Sequence, residues 1–318
     1  MQVTHFNDFS PNPTLEEAEA GVSLWRSEKP DAVLGIGGGS ALNLAKMING
    51  VAGSKASTRD ILTGQSPPEK NTVPVIAVPT TSGSGAEVTH FAAVYVDNKK
   101  HSVTHESLRP SHCILDPSLT RSLSPYLTAT TGMDALSQAI ESYWSVGSTE
   151  KSRNYSSQAI TLCEPFGVAA CNDSTDEART ALMEGAHLAG KAIDIAKTTA
   201  PHALSYPLTT GFGVTHGHAV ALSLGPVFAF NAAANQSAEL SKRMGDLCTL
   251  MKCPDGLAAS KQLNAMMKDC GLTTQLRDQG VARSDLPRLV QSVNPQRLKN
   301  NPRPLSSEDL GTILESVY

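Results

Sequence analysis

Charge is scarce in this chain and gathers nowhere: 18% of the 318 residues are charged, 5% are aromatic, and the formal net charge is −4. No basic stripe follows a phosphate backbone and few rings are available to stack on bases, which excludes a nucleic-acid partner. No apolar run approaches the ~20 residues of a membrane span, which excludes a membrane partner of that kind. The opening MQVTHFNDFSPNPT lacks a charged segment followed by an apolar one, so it does not read as a secretory signal. The six cysteines, Cys113, Cys163, Cys171, Cys248, Cys253 and Cys270, form no CxxC pair. That pattern points to free thiols in a reducing, cytoplasmic setting rather than to a disulfide framework. There is no internal repeat and no low-complexity tract. What is present, 40% hydrophobic residues over this length, suits a globular protein of two domains.

The first third reads as strand, glycine turn and helix. Thr14 caps a helix and Glu17 completes a capping box, with Ala18, Val22 and Trp25 following near helical spacing. Asp31-Ala-Val-Leu-Gly-Ile36 then reads as a strand buried on both faces. It runs into Gly37-Gly38-Gly39-Ser40 and a second helix over 41–48. Glycines admit a phosphate close to the backbone, and free N–H groups at a helix start attract anions, so this turn is a phosphate-binding candidate. A second strand over 73–79 ends in Thr80-Thr81-Ser82-Gly83-Ser84, again at the carboxyl end of a strand, where open α/β sheets bind ligands. Residues 91–97 and 101–104 read as a hairpin around Asn98-Lys99-Lys100.

Beyond residue 118 the pattern is helical, with helices expected at 129–143, 152–163, 176–195, 218–234, 236–252, 257–270, 284–292 and 306–317. The expected domains are therefore an α/β domain over 1–120 and an all-helical domain over 121–318. Three of nine histidines, His202, His216 and His218, fall within the Gly-punctuated segment 197–220. Imidazole suits borderline divalent metals, and a catalytic metal needs about three protein ligands and an open position. Asp134 and Gln138 stand one helical turn apart in an apolar helix, where a buried carboxylate is costly unless paired or bound to a cation. The Asp and the His cluster together point to a metal site.

These motifs resemble the iron-containing (group III) alcohol dehydrogenases, relatives of glycerol dehydrogenase and dehydroquinate synthase. The resemblance rests on Gly37-Gly38-Gly39-Ser40, Pro79-Thr-Thr-Ser-Gly-Ser-Gly-Ala-Glu87-Val, Gly132-Met-Asp-Ala-Leu-Ser-Gln-Ala-Ile-Glu141 and His202…His216-Gly-His218. It implies a Rossmann-like parallel-sheet dinucleotide domain, an all-helical metal domain and an active site in the cleft between them. NAD(H) or NADP(H) and one divalent metal, Fe2+ ahead of Zn2+ or Mn2+, are the implied cofactors. The resemblance would place Gly37, Gly38, Gly39 and Ser40 on the pyrophosphate, and Thr80, Thr81, Ser82 and Ser84 along the adenosine and nicotinamide side. It would make Asp134, His202 and His216 metal ligands.

Three departures follow from the same resemblance. The family's fourth ligand is normally a His where this chain has Gln138, whose amide oxygen coordinates more weakly. Many members carry a second His where Tyr206 stands, so Tyr206 or His218 would relay the proton. A first strand–helix unit that usually precedes Asn12-Pro13-Thr14 is missing, which would expose a sheet edge. An edge strand near Phe6–Phe9 would serve a homodimer.

Within the family the segments around Lys197, His218 and Asn300-Asn301-Pro302-Arg303 resemble the phosphonoacetaldehyde reductase (hydroxyethylphosphonate dehydrogenase) branch. A phosphonate needs fixed cations, and Lys197 and Arg303 are the candidates, Lys197 also standing close to the reacting centre. The substrate would be a small aldehyde or alcohol, a phosphonate in this reading. A general lactaldehyde or butanol type of dehydrogenase and a non-catalytic cofactor-binding relic are the rival readings.

Overall fold

A computed structural model describes residues 2–69, 73–97, 99–233 and 237–318. The chain divides into two compact units, Met1–Thr81 with Gly85–Leu119 and Thr120–Tyr318 with Ser82–Ser84.

The first unit holds α1 (Leu15–Glu28), β1 (Val33–Gly37), α2 (Gly39–Ala52), α3 (Thr58–Leu62), β2 (Val75–Pro79), β3 (Phe91–Val96), β4 (Lys99–Thr104) and β5 (His112–Cys113). The capping box forms: Glu17 N donates to Thr14 Oγ1 and Thr14 N donates to the Glu17 carboxylate at 2.8 Å. Strands β1, β2 and β5 make a parallel sheet in that order, in register from Val33 opposite Val75 to Gly37 opposite Pro79. The hairpin β3–β4 forms, with Lys99 and Lys100, expected in its turn, paired in β4 opposite Val96 and Tyr95; Asn98 lies outside the described residues. Leu15, Val22, Leu44, Met47, Val94 and Leu108 build the core between the helices and the hairpin.

One lysine is locked into this unit. Lys46 is 1% exposed, and its ammonium donates to Ala86 O at 3.0 Å, Thr89 Oγ1 at 3.0 Å and Phe91 O at 2.6 Å. Three oxygen acceptors offset the cost of burying the charge, and the contact pins the segment after β2 to α2.

Two expectations change here. The β1 strand is not buried on both faces: Leu34 and Ile36 are 56% and 57% exposed. It pairs with β2 alone among the described residues, and α2 covers the face that carries Gly35. Nor is there an edge strand at Phe6–Phe9; residues 2–10 carry no strand. The two phenyl rings stack, with centroids 6.2 Å apart, and pack on the core of the unit instead.

The second unit is helical: α4 (Pro125–Trp144), α5 (Glu150–Asn172), α6 (Asp176–Ala196), α7 (Ala200–Phe212), α8 (His216–Ala232), α9 (Ala238–Leu250), α10 (Gly256–Asp269), α11 (Leu286–Ser292), α12 (Pro295–Leu298) and α13 (Ser307–Ser316). Ser124 caps α4 and Pro125 occupies its first turn, where a missing N–H costs nothing. Trp144 at its other end is fully buried, meets the Phe228 ring edge-on at 5.5 Å, and donates from Nε1 to Thr199 Oγ1 at 2.9 Å. Helix α7 departs from the sequence expectation of a Gly-punctuated segment. Pro201 sits in its first turn, Pro207 is carried inside it, and Gly213 at φ 69° ends it. No helix among the described residues is long and apolar enough to cross a membrane.

Candidate active site

The site begins with a polar stripe on α4. Asp134, Gln138 and Glu141 fall at i, i+4 and i+7 and share one face. They are 6%, 3% and 0% exposed in a helix otherwise packed into the core. Such burial demands partners, and α7 supplies one. His202 Nδ1 bonds Glu141 Oε1, while the other carboxylate oxygen, Oε2, accepts from Thr199 N at 2.6 Å and Thr199 Oγ1 at 3.0 Å. Trp144 then holds Thr199 in place through its indole N–H.

This chain of bonds fixes the imidazole. With Nδ1–H given to Glu141, the His202 Nε2 lone pair points at Asp134, and Asp134 Oδ1 lies 3.2 Å away. The contact is ionic in distance but outside hydrogen-bond geometry, so Asp134 Oδ1 is buried without a hydrogen bond, as is Gln138 Oε1. An imidazole nitrogen and a carboxylate oxygen facing each other in the interior call for a cation, a proton or a metal ion, between them. With no ion present a proton takes that place. Burial opposes charging His202, but the charge of Glu141, with the Asp134 and Glu141 contacts, raises it to about 9. Burial likewise opposes ionisation of Asp134, yet His202, His216 and Gln138 hold its carboxyl below the usual range.

His216 is the first residue of α8, and its ring lies 5.4 Å from that of His202. Gly217 allows it to be there. A Cβ at Gly217 would stand 1.9 Å from Thr130 O and 3.1 Å from Asp134 Cβ, so glycine alone lets α8 approach α4 this closely. Asp134, His202 and His216 bring one ligand atom each within 4.8 Å of one another.

The donor set fits a divalent cation. A carboxylate and two imidazoles are ligands that iron, zinc and manganese accept. Asp134 Oδ1 and Gln138 Oε1, on the same helix face, are both buried without a hydrogen bond. Glu141 completes the arrangement as the outer carboxylate that sets the His tautomer, as metal-bound imidazoles require.

Tyr206 lies one turn beyond His202 on α7, and its ring stacks on His216 at 5.9 Å and 16°. Arg297 donates from Nη1 to its hydroxyl oxygen at 3.0 Å. Burial pushes the Tyr206 phenol up, against the pull of Arg297, so it stays protonated at neutral pH. His218 faces elsewhere: Nε2 bonds Thr273 O at 2.8 Å, and Nδ1 is 3.5 Å from the Tyr126 hydroxyl. Burial lowers its pKa, partly countered by the Thr273 carbonyl, which keeps it neutral.

In the first unit, Thr80 N donates to Gly37 O at 3.0 Å, and the Thr81 side chain packs 3.3 Å from where a Cβ would sit on Gly38. The two turns singled out in the sequence, Gly37 to Ser40 and Thr80-Thr81, thus lie together. Gly37, at φ +148°, adopts a backbone that other residues rarely take. Helix α2 has no side-chain cap at its start, so its first N–H groups remain available to an anion. Ser82 and Ser84 fall in the second unit, Ser82 buried and Ser84 half-buried.

Of the two residues expected to hold a phosphonate, one is exposed and the other is engaged by a ring and a carbonyl. Lys197 is exposed at the C-cap of α6 in a left-handed backbone, φ 62°. Arg303 stacks on Phe230 at 3.8 Å and donates to Phe230 O at 2.6 Å. Its neighbours strap the fold: Asn300 Nδ2 donates to Ala196 O and Thr198 O, and Asn301 pairs with Asn231. Two contributors were not assigned from sequence. Glu141 carried a signal, the i+7 spacing from Asp134, whereas Arg297, 91 residues from Tyr206 in the chain, carried none.

Comparison with known proteins agrees with this architecture. Residues 1–117 match the iron-containing alcohol dehydrogenase family model and residues 128–318 match the Fe-containing alcohol dehydrogenase family C-terminal model. The chain belongs to the iron-containing alcohol dehydrogenase family, a family of oxidoreductases. Among its relatives is long-chain-alcohol dehydrogenase 1 of Geobacillus thermodenitrificans, 34% identical over 98% of this chain and 81% of the relative. Phosphonoacetaldehyde reductase of Streptomyces viridochromogenes is 33% identical over 95% of this chain and 80% of the relative. The crystal structure of sulfoacetaldehyde reductase from Bifidobacterium kashiwanohense in complex with NAD+ superposes with a TM-score of 0.89. That protein is 31% identical, with 98% of this chain and 82% of the other covered.

Proposed function

We propose that this chain reduces phosphonoacetaldehyde to 2-hydroxyethylphosphonate with NADH or NADPH, or runs the reverse, at the Asp134–His202–His216 group. The observation that carries the reading is the carboxylate–imidazole set of Asp134, His202 and His216, whose ligand atoms lie within 4.8 Å of one another, with Asp134 Oδ1 buried and without a hydrogen bond. Similarity over nearly the whole chain to a phosphonoacetaldehyde reductase and a sulfoacetaldehyde reductase supports the substrate, since both names describe a two-carbon aldehyde with an anionic head.

In this reading Asp134, His202 and His216 hold the metal and Gln138 adds a weaker amide oxygen. Gly37, Gly38, Gly39 and Ser40 take the pyrophosphate, and Thr80, Thr81, Ser82 and Ser84 line the rest of the dinucleotide. Bound there, a divalent cation supplies polarisation of the aldehyde oxygen and a reduced nicotinamide supplies hydride. Tyr206, kept protonated and stacked on His216, gives the proton that turns the resulting alkoxide into the alcohol. His218, neutral and hydrogen-bonded to Thr273, is the alternative relay, and Lys197 is the exposed cation nearest in sequence to His202.

The similarity to a long-chain-alcohol dehydrogenase favours one rival, a general aldehyde or alcohol dehydrogenase. Steady-state oxidation of NADH and NADPH with phosphonoacetaldehyde, acetaldehyde and lactaldehyde separates the two. The reading expects a higher kcat/KM for the phosphonate; equal values would remove the substrate assignment and leave the family membership intact.

A further inference from the structure

We propose that Arg297 is the anion-recognition residue of this site, its guanidinium taking the tetrahedral oxyanion head, phosphonate or sulfonate, of a short aldehyde. The proposal rests on the aldehyde-reductase reading above and replaces Lys197 and Arg303 as the residues that select the substrate.

Three observations lead to it. Arg297 is half-buried, and its guanidinium lies 4.5 Å from the centre of the Tyr206 ring, which itself stacks on His216. Arg297 thus sits against the ring that contacts a metal-ligand candidate, Tyr206 and His216 having their centroids 5.9 Å apart. Second, no carboxylate among the described residues pairs with it; its hydrogen bond goes to the neutral Tyr206 hydroxyl. Four other arginines of the same unit have acids beside them, Arg121 with Asp176, Arg243 with Glu239, Arg283 with Glu315 and Arg288 with Asp285, whereas Arg153, Arg179, Arg277 and Arg303, like Arg297, bond neutral oxygens. A partly desolvated guanidinium without a counter-ion is costly, and an incoming anion relieves that cost. Third, the backbone that carries the side chain is held at both ends. It belongs to α12, which opens on Asn294, whose side chain accepts from Gln296 N at 2.9 Å, and closes where Asn301 N bonds Leu298 O.

The chemistry matches the ligand. A guanidinium offers paired N–H groups in a plane, the geometry that two oxygens of a phosphonate or sulfonate accept together. Nη1 is engaged with Tyr206, and the remaining N–H groups carry no bond among the described residues. The competing roles fall short on placement: Arg303 is committed to the ring and carbonyl of Phe230, and Lys197 is exposed.

The test compares wild type, Arg297→Met, Arg297→Lys and Tyr206→Phe. The readouts are kcat/KM for phosphonoacetaldehyde and sulfoacetaldehyde relative to propionaldehyde, and binding of ethylphosphonate and ethanesulfonate by calorimetry. Loss of charge-assisted hydrogen bonds predicts that Arg297→Met lowers the anionic-to-neutral ratio about 10- to 100-fold and weakens binding of the anion similarly. Arg297→Lys, which keeps the charge but not the fork, falls between, and it carries the test if the Met variant does not fold. Tyr206→Phe leaves the ratio in place because the guanidinium remains. Whichever anion loses more in Arg297→Met is the head group the residue serves. A wild type that prefers the anionic aldehyde, with Arg297 variants that keep the preference, overturns the assignment and spares the reductase reading. A Tyr206→Phe ratio as low as that of Arg297→Met also overturns it, since Arg297 would then act only through Tyr206. A wild type with no preference for either anionic aldehyde overturns the substrate reading and this assignment with it.

Discussion

Glu141→Gln is the substitution that probes the site's construction most sharply, because it changes charge without changing shape. Both oxygens of Glu141 are in use: one meets His202 Nδ1, the other accepts from Thr199 N and Oγ1. A glutamine keeps one acceptor and turns the other into an NH2 donor. If the NH2 faces Thr199, a buried backbone N–H loses its partner, at a cost of about 1–3 kcal/mol in stability. If it faces His202, the imidazole must present a lone pair at Nδ1 and carry its proton on Nε2, the atom aimed at Asp134. That tautomer cannot ligate a metal. The variant pays in one currency or the other, and loss of an outer carboxylate of this kind typically lowers metal affinity about 10- to 100-fold. Chelator competition with Fe2+ and Zn2+ measures the affinity, and thermal melting of metal-stripped protein measures the stability. Unchanged affinity together with unchanged melting would refute the role given to Glu141.

Two further substitutions act on the same atoms. Gln138→His places an imidazole where an amide oxygen now stands buried without a hydrogen bond; chelator competition should show tighter binding, by about 10-fold or more, since imidazole is the stronger ligand for these metals. Gly217→Ala drives a Cβ into Thr130 O, a backbone atom that cannot turn aside. It should cost about 1–3 kcal/mol of stability and reduce bound metal, read by melting and by metal analysis of the same sample.

Much of this arrangement was legible in the sequence, and the parts that were not have identifiable causes. The Gly37 turn, the capping box at Thr14 and the Asp134 stripe are local patterns, and local patterns survive into the fold. Helix α7 did not announce itself because Pro201, Pro207 and two glycines mark a break in any local reading, yet Pro201 falls in the first turn and Gly213 at the end. The exposure of Leu34 and Ile36 is a property of what covers the sheet, which an apolar run does not encode. Arg303 looked suited to a phosphonate by composition, but a ring and a carbonyl of α8 hold it. Arg297 reached Tyr206 only through tertiary packing.

The chemistry proposed for this site stands on Asp134, His202 and His216 binding a metal. Elemental analysis of the purified protein beside its His202→Ala variant tests it most directly. About one iron, zinc or manganese per wild-type chain is expected for a single site of three protein ligands, and none in the variant. A wild type without metal after reconstitution, or a variant that retains it, would contradict the claim.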